Sequence, residues 1–367
     1  MTKEKRNYSL DLLRIISMIM IVTIHYCTFG YNILKNGSIG SNTPALWLIY
    51  AFCFGAVNLY VLLSGYFLCE SKFKWKKLFR LWIEVIFYSI LIFLILKWTG
   101  NLKELLPREK AKIFLPVIGK SYWFVSIYFV MYIISPFLNI LVKNLEKKEY
   151  QKLLIIGVVL IILNNIIPGT FIIDANYGYG IIWFVYLYLC GAYIRKYDVS
   201  IKHNYLLLLS YILFTLLTFG SRYFILKYCQ NLELYKNEFN SFYNYNSITI
   251  FLASISLFIF FKNLKLKEIF PKLVSKISYS TFGVYLIHVN FILNPVLYEK
   301  ILKVSYYASQ RFIVKSGAMI ISVIAVFSIC IVIDIIRQLI FKILRIEWVC
   351  LKIGLITDII KHNATLI

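Results

Sequence analysis

LDLLRIISMIMIVTIHY, residues Leu10–Tyr26, is apolar enough to enter a membrane, yet it contains Asp11, Arg14 and His25. A helix turns by about 100° per residue, so the step from Arg14 to His25 is three turns plus about 20°, and both side chains project from one face. Asp11 precedes Arg14 by three residues and shares that face. An ionised residue inside a membrane span costs about 2.5–3.5 kcal/mol, so such residues face protein or a wet cavity. The stretch predicts a membrane helix with one polar face.

The composition of the whole chain also predicts a membrane protein. Of its 367 residues 60% are hydrophobic, whereas soluble domains are about half apolar. Apolar runs recur along the whole length, and lipid would surround most of their surface. We predict an all-α fold, a polytopic transmembrane bundle of about ten helices. The candidate spans lie near residues 8–30, 46–69, 78–98, 121–142, 152–168, 180–195, 204–226, 247–262, 278–299 and 312–341.

The distribution of basic residues predicts the orientation of these spans. The formal net charge is +23, which in a soluble protein would indicate nucleic acid. Most basic residues here lie in short loops between apolar runs, where they fix orientation and meet anionic headgroups, so we expect membrane lipid and no nucleic acid as a partner. A cytoplasmic N-terminus places most Lys and Arg residues inside. Both termini are therefore predicted to be cytoplasmic, although the basic residues of loop 97–120 oppose this orientation.

Two further features set the expected domain organisation. The first apolar run is long and lacks a small-residue cleavage site, so we interpret it as a retained helix rather than a signal peptide. The cysteines are scattered and form no Cys-x-x-Cys motif, so we expect neither a disulfide framework nor a metal site. We assign residues 1–345 to one integral-membrane domain and residues 346–367 to a cytoplasmic C-terminal tail.

Two interpretations fit the polar face of the first helix. In the first, Asp11 and Arg14 pair near the cytoplasmic interface and His25 is an interfacial histidine. In the second, these residues line a groove for a long, thin acyl thioester, with Asp11 in support. Arg14 would bind the donor phosphates through bidentate hydrogen bonds, and His25 would take the proton of an attacking hydroxyl. The helical rise separates Arg14 from His25 by roughly 16 Å, about the length of a pantetheine arm.

Four segments carry a resemblance to a known family. They are RIISMIMIVTIH (Arg14–His25), NLYVLLSGYFL (Asn58–Leu68), YWFVSIYFVMYIISPFLN (Tyr122–Asn139) and ISYSTFGVYLIH (Ile277–His288). In this order they resemble the motifs of the acyltransferase 3 family of bacterial membrane O-acyltransferases. The first is similar to the family's signature of Arg or Lys, ten residues and His, and the last resembles its late segment ending in His.

The resemblance implies ten helices in the bacterial cytoplasmic membrane and transfer of an acyl group, usually acetyl, to a hydroxyl. The donor would be a cytoplasmic acyl-CoA, most often acetyl-CoA, which is a co-substrate. No bound cofactor is implied. The acceptor would be a cell-surface glycan or its lipid-linked precursor. The resemblance implies a catalytic role for His25 and donor binding by Arg14, and it allows a homodimer. Some relatives carry a fused extracytoplasmic hydrolase-like domain; we expect none here, so that transfer is either direct, as we assume, or needs a separate partner.

Arg80, near the start of the third span, is the second candidate for donor binding. Together with Arg14 and Lys77, it would bind the phosphates of the donor. Anchoring at the cytoplasmic interface is the other interpretation of both residues. Glu84, four residues after Arg80, would equally explain Arg80 as half of an ion pair. In the last span, Asp334 and Arg337 predict a structural ion pair.

The remaining candidates are acceptor-binding or supporting residues. Ser64 suits close helix packing and would serve as a nucleophile only with a base in reach. Trp123 is either an aromatic anchor at the membrane interface or a platform for a sugar ring. Tyr285 and His288 share a helix face, where His288 is either a buried, hydrogen-bonded residue or part of the cavity that contains His25.

Two other functions compete with acyl transfer. An exporter of polysaccharide or lipid-linked sugar would also contain intramembrane charges, but exporters often show internal repeats, and none is evident. A structural subunit of a glycan-synthesis complex needs no ionisable residues in its spans, so Arg14 and His25 argue against it. We therefore predict a membrane O-acyltransferase with His25 as its general base.

Overall fold

A computed structural model describes residues 7–31, 43–162, 173–228, 243–264 and 271–354, and the regular structure in these residues is helical. The helices are α1 (Tyr8–Tyr31), α2 (Thr43–Phe54), α3 (Ala56–Leu68), α4 (Trp75–Trp98), α5 (Pro107–Phe114), α6 (Trp123–Asn144), α7 (Lys147–Gly157), α8 (Ile181–Lys196), α9 (Asn204–Tyr228), α10 (Ile248–Asn263), α11 (Pro271–His288), α12 (Val304–Ala308) and α13 (Phe312–Ile343). Short π- or 3₁₀-helical turns cover Val158–Ile162, Asn176–Gly178 and Val296–Ile301. Residues 346–354 are also helical.

Six helices in the described ranges are long and apolar enough to cross a membrane. They are Tyr8–Phe29, Pro44–Leu68, Trp75–Trp98, Trp123–Asn144, Asn204–Phe224 and Phe312–Ile343. The chain is therefore a multi-pass membrane protein, and the prediction of an all-α fold is confirmed. The other four predicted spans fall on α7, α8, α10 and α11, which are shorter than the about 20 residues that a crossing needs. The count of about ten spans stays a prediction, and the predicted span 152–168 lies partly outside the described residues.

The ninth predicted span, 278–299, differs most from the structure, because α11 already ends at His288. The side-chain oxygen of Asn290 accepts hydrogen bonds from the backbone N–H groups of Ile292 and Leu293, at 3.1 and 3.3 Å. A polar side chain that satisfies nearby N–H groups in this way competes with the continuing helix. His288 consequently lies on the last turn of α11.

Helices α3 and α8 pack backbone against backbone near the centre of the bundle. A Cβ atom on Gly65 would lie 2.1 Å from the carbonyl oxygen of Tyr188, and one on Gly191 would lie 2.3 Å from that of Leu62. Small residues permit helices to approach this closely. The contact agrees with the packing interpretation of the segment around Ser64.

A buried ionic cluster joins α4 to α13 beside α11. The Nη2 atom of Arg337 lies 2.8 Å from Asp334 Oδ1 and 3.0 Å from Glu84 Oε1. A Cβ atom on Gly283 of α11 would lie 2.1 Å from Asp334 Oδ1, so α11 packs directly on this cluster. The predicted pair of Asp334 and Arg337 is present, and Glu84 is the second carboxylate on the same guanidinium. Arg80 pairs with Glu347, which follows the last span.

The close contact of α3 and α8 yields a stability prediction. We expect Gly65→Ala to lower the melting temperature of the detergent-purified protein, because overpacking typically costs about 1–3 kcal/mol. Gly220→Ala, on the exposed side of α9 with no atom within 4 Å of the added Cβ, is the matched control and should be neutral or slightly stabilising. Equal melting temperatures for the two variants would contradict the contact.

Candidate active site

The polar face of α1 lies against protein at its N-terminal end. Asp11 is 3% exposed, and its carboxylate accepts hydrogen bonds from Arg14 Nη1 at 2.9 Å and from the Ser278 hydroxyl at 3.1 Å. The Arg14 side chain remains 31% exposed and lies 5.0 Å from the centre of the Phe67 ring. Asp11 thus fixes one side of the guanidinium while the rest faces open space.

Arg14 lines an open cavity of about 410 Å³ together with Ser64, Lys77, Arg80 and Glu84. We call this space the cationic cavity. Its lining contains three cationic side chains and one carboxylate, Glu84, which pairs with the arginine of the ionic cluster; Arg14 also pairs with Asp11, and Arg80 with Glu347. The positive excess attracts anions. The structure therefore brings together the two arginines that the sequence predicts for donor binding.

His25 is hydrogen bonded to His288 across the contact of α1 with α11. The two atoms are His25 Nδ1 and His288 Nε2, 3.0 Å apart, and His288 Nδ1 lies 2.6 Å from the carbonyl oxygen of Val284. A carbonyl only accepts, so His288 Nδ1 carries a hydrogen. With both rings neutral, His288 Nε2 must then accept from the Nδ1–H of His25. This arrangement leaves a lone pair on His25 Nε2, the atom that a general base needs.

His25 also lines a small cavity, which we call the histidine chamber, together with Trp123 and Tyr285. Its volume is about 50 Å³, and about 10–15 Å³ by the same measure is enough for one water molecule. The chamber therefore admits a group of only a few non-hydrogen atoms. The rest of its lining is apolar or aromatic: Met18, Ile21, Ile24, Val57, Tyr60, Phe124, Tyr245 and Phe282.

Three aromatic rings separate the histidine chamber from the cationic cavity. Tyr60, Phe124 and Phe282 line both spaces. The Tyr60 hydroxyl donates to the backbone carbonyl of Arg14 at 2.9 Å, which fixes this ring against α1 between Arg14 and His25. A ligand that reaches from one space to the other must therefore pass these three rings.

The structure shows the surroundings of Trp123 and Ser64. The Trp123 ring centre lies 4.6 Å from that of Tyr179 and 5.9 Å from that of Tyr245, so this tryptophan packs against protein rings and lines the chamber. The role of Trp123 as a platform for a sugar ring stays a prediction. The Ser64 hydroxyl donates to the carbonyl of Tyr60 in its own helix at 2.8 Å, which favours a structural role.

A hydrogen-bonded link joins the start of α6 to the end of α11, beside the histidine chamber. The Tyr122 hydroxyl donates to the carbonyl of Leu286 at 3.0 Å and accepts from the Asn290 amide at 2.7 Å. Tyr122 immediately precedes Trp123, and Leu286 and Asn290 flank His288. The start of α6 and the end of α11 are thus held in register.

The sequence did not predict the hydrogen bonds of Tyr122 or the three rings between the two cavities. Tyr60, Phe124 and Phe282 do lie inside the motif segments quoted above. In a chain with 29 Phe and 29 Tyr, however, aromatic identity alone does not mark a cavity. Tyr122 and Asn290 act through contacts between residues far apart in sequence, which periodicity does not reveal.

The family model of the acyltransferase 3 family, described as an acyltransferase domain, matches residues 7–337. The matched range includes every site residue predicted from the sequence. No curated protein and no solved structure gives a significant match to the chain.

The hydrogen-bond geometry of the histidine pair predicts the position of two protons. The chain has four histidines, so ¹⁵N-histidine labelling yields a tractable NMR spectrum. We expect His25 and His288 to be protonated at Nδ1 and unprotonated at Nε2. The Val284 carbonyl accepts the Nδ1 proton of His288, and Nε2 of His288 accepts the Nδ1 proton of His25. His203, which is exposed, is the internal reference. Protonation of His25 at Nε2 would contradict the pairing, and His288→Ala should release His25 from its single tautomer.

Proposed function

The chain belongs to the acyltransferase 3 family, and we propose that it moves an acyl group from a cytoplasmic acyl-CoA to a hydroxyl of a cell-surface polysaccharide or its lipid-linked precursor. The observation that carries this proposal is that His25, hydrogen bonded to His288 through Nδ1, lines a chamber next to a cationic cavity. A base, a small chamber and a phosphate-binding cavity in series are the parts that acyl transfer from a nucleotide thioester needs.

The proposal includes ten spans in the bacterial cytoplasmic membrane, with both termini in the cytoplasm. Arg14 lies in the second turn of α1, and Lys77 and Arg80 lie in the first two turns of α4, so the cationic cavity is at the bundle end where these helices begin. The excess of Lys and Arg in the segments assigned inside supports a cytoplasmic position for that end. His25 lies roughly 16 Å further along α1, toward the outer face.

The donor would lie along α1. Its phosphates bind Arg14 and Arg80, its pantetheine arm passes the three separating rings, and its thioester carbonyl enters the histidine chamber. The chamber volume of about 50 Å³ supports a small acyl group, and acetyl is our proposal. Trp123 and Tyr285 place aromatic rings on the same chamber, and they would contact the acceptor where its hydroxyl group enters.

In the proposed reaction, the acceptor hydroxyl lies beside His25 Nε2. This atom takes the hydroxyl proton while the acceptor oxygen bonds to the thioester carbonyl carbon. The tetrahedral intermediate then collapses, the carbon–sulfur bond breaks, and the leaving thiolate takes the proton from the imidazolium. The products are an ester and a free thiol. Throughout, His288 accepts the Nδ1–H of His25 and so leaves Nε2 as the nitrogen that exchanges the proton.

The first test replaces the proposed base. We expect His25→Ala to lower the amount of ester-linked acyl groups on surface glycan about 10²–10⁴-fold, because a general base is lost. The esters are measured by NMR or by alkaline release and mass spectrometry, at matched membrane abundance. His203→Ala, at an exposed position, is the control. Loss of ester with a normal amount of glycan fits an acyltransferase, whereas loss of the glycan itself would favour an exporter instead.

The second test concerns Arg14. We expect Arg14→Ala to raise the KM for acyl-CoA about 10–100-fold, since one or two charge-assisted hydrogen bonds of about 1.5–3 kcal/mol are lost. Arg14→Lys keeps the charge but not the planar fork, so its KM should lie in between. The values are measured with purified protein in detergent and varied acyl-CoA. Identical KM values for wild type and both variants would remove Arg14 from the donor site.

A further inference from the structure

A second cationic space adjoins the first near the C-terminus. It has a volume of about 550 Å³ and is bordered by the helical segment 346–354. Small-molecule sites typically span about 300–1,000 Å³. Arg80 and Tyr279 line both this space and the cationic cavity, and the Arg80 guanidinium carbon lies 5.1 Å from the centre of the Tyr279 ring. We call the second space the C-terminal cavity.

The lining of the C-terminal cavity is strongly basic. Its lining contains four cations, Arg80, Arg337, Lys342 and Arg345, and one carboxylate, Glu347, while Arg337 also pairs with Asp334 and Glu84 of the ionic cluster. Within the part of the chain that the structure describes, Lys342 and Arg345 form no ion pair. Arg337 is 2% exposed, and its Nη1 has no hydrogen-bond partner among the described residues. A buried donor without an acceptor, next to cations without counter-charges, is the arrangement expected of a polyanion site.

Glu347 lies where an anionic ligand of this cavity would bind. Its carboxylate pairs with Arg80 and lies 2.8 Å from Lys76 Nζ. The hydrogen bond from Lys76, assisted by the charge of Arg80, holds the pKa of the Glu347 carboxyl below its usual value, so the group is ionised at neutral pH. The Glu347 side chain is 49% exposed, so water can solvate it when a second anion takes its place on Arg80.

The rim of the cavity offers an aromatic surface. Trp348 lines the cavity and is 54% exposed, and Lys352 Nζ lies 3.9 Å from the centre of its ring. Nucleobases stack on exposed aromatic rings of this kind. Arginines for phosphate and a tryptophan for a base together match the two halves of a nucleotide.

We propose that the C-terminal cavity binds the phosphorylated adenosine end of the acyl donor, with the phosphates displacing the Glu347 carboxylate from Arg80. This inference rests on the proposed function and deepens it, because it assigns the nucleotide end of the donor to a cavity that the proposed function leaves without a role. Lys342, Arg345 and the unpaired Nη1 of Arg337 hold the phosphate on the adenosine ribose, and the diphosphate lies on Arg80 and Arg14. The pantetheine arm then runs past Arg80 into the cationic cavity and on toward His25.

The test is calorimetric titration of the full-length, detergent-purified protein with adenosine 3′,5′-bisphosphate, which lacks both the pantetheine arm and the acyl group. We expect the double variant Lys342→Ala/Arg345→Ala to raise the Kd at least about 10-fold, since two phosphate contacts are lost. Lys148→Ala, which removes an exposed cation of α7, is the control and should leave the Kd unchanged. An unchanged Kd in the double variant overturns the proposal.

Glu347→Gln provides a test that a folding defect cannot imitate. Removing the competing carboxylate should lower the Kd for the bisphosphate by about 3-fold or more, because Arg80 and Lys76 lose their counter-charge. Weaker or equal binding in this variant overturns the exchange of anions. A phosphate site could also serve a lipid headgroup, so the same variants are titrated with inorganic phosphate and with short-chain phosphatidylglycerol micelles. We expect the bisphosphate to bind most tightly of the three, and preference for the lipid overturns the nucleotide assignment.

Kinetics with two donors distinguishes failure of this site from failure of the proposed function. In the double variant, the KM for acetyl-CoA should rise about 10-fold, while that for S-acetylpantetheine, which lacks the nucleotide, should not change. Equal KM values for acetyl-CoA in wild type and the double variant overturn the nucleotide site but leave acyl transfer intact. Bisphosphate binding that depends on Lys342 and Arg345, without ester formation that depends on His25, would support the site and overturn the proposed function.

Discussion

Charge burial in an apolar bundle is the constraint on which the rest of this structure depends. An ionised side chain surrounded by helices and lipid is costly unless an opposite charge or water is close to it. Arg14 is offset by Asp11, and Arg337 by Asp334 and Glu84. These partners lie on α1, α4 and α13, and α11 packs against both clusters through Ser278 and Gly283. The helix contacts that offset the charges therefore also form the walls of the cavities.

Exposure separates the roles of the two arginines that these clusters contain. Arg337 is enclosed and holds two carboxylates, so its main effect is to join helices. Arg14 has one carboxylate and remains 31% exposed at the cationic cavity. The interfacial ion pair and the donor site, which the sequence presents as alternatives, are therefore compatible. Asp11 restricts the rotamers of Arg14, and a restricted cation loses less conformational entropy when a phosphate binds.

The parts of this site that could be predicted from the sequence depend on neighbours along one helix. The periodicity of α1 places Asp11, Arg14 and His25 on one face, and the same argument pairs Asp334 with Arg337, as the structure has it. These predictions succeed because positions three or four apart must be adjacent in a helix.

The parts that could not be predicted depend on contacts between distant segments. His25 and His288 are 263 positions apart, and no local pattern indicates that their ring nitrogens meet. The separating rings of Tyr60, Phe124 and Phe282 look, in sequence, like any lipid-facing aromatic residue of a membrane span. Helix α11 ends early because the Asn290 side chain accepts hydrogen bonds from the N–H groups of Ile292 and Leu293. A hydropathy profile does not show such hydrogen bonds.

The histidine pair is a solution that suits its apolar surroundings. A carboxylate behind His25 would orient the ring and stabilise its cation more strongly, but a buried carboxylate costs several kcal/mol in desolvation. A neutral His288 that donates to the carbonyl of Val284 orients His25 without adding a permanent charge. The weaker stabilisation of the imidazolium is acceptable if the acyl donor is already activated. A thioester meets that condition, because a thiolate leaves far more readily than an alkoxide, so modest assistance from the base is sufficient. The chemistry of the proposed donor and the neutrality of His288 therefore support each other.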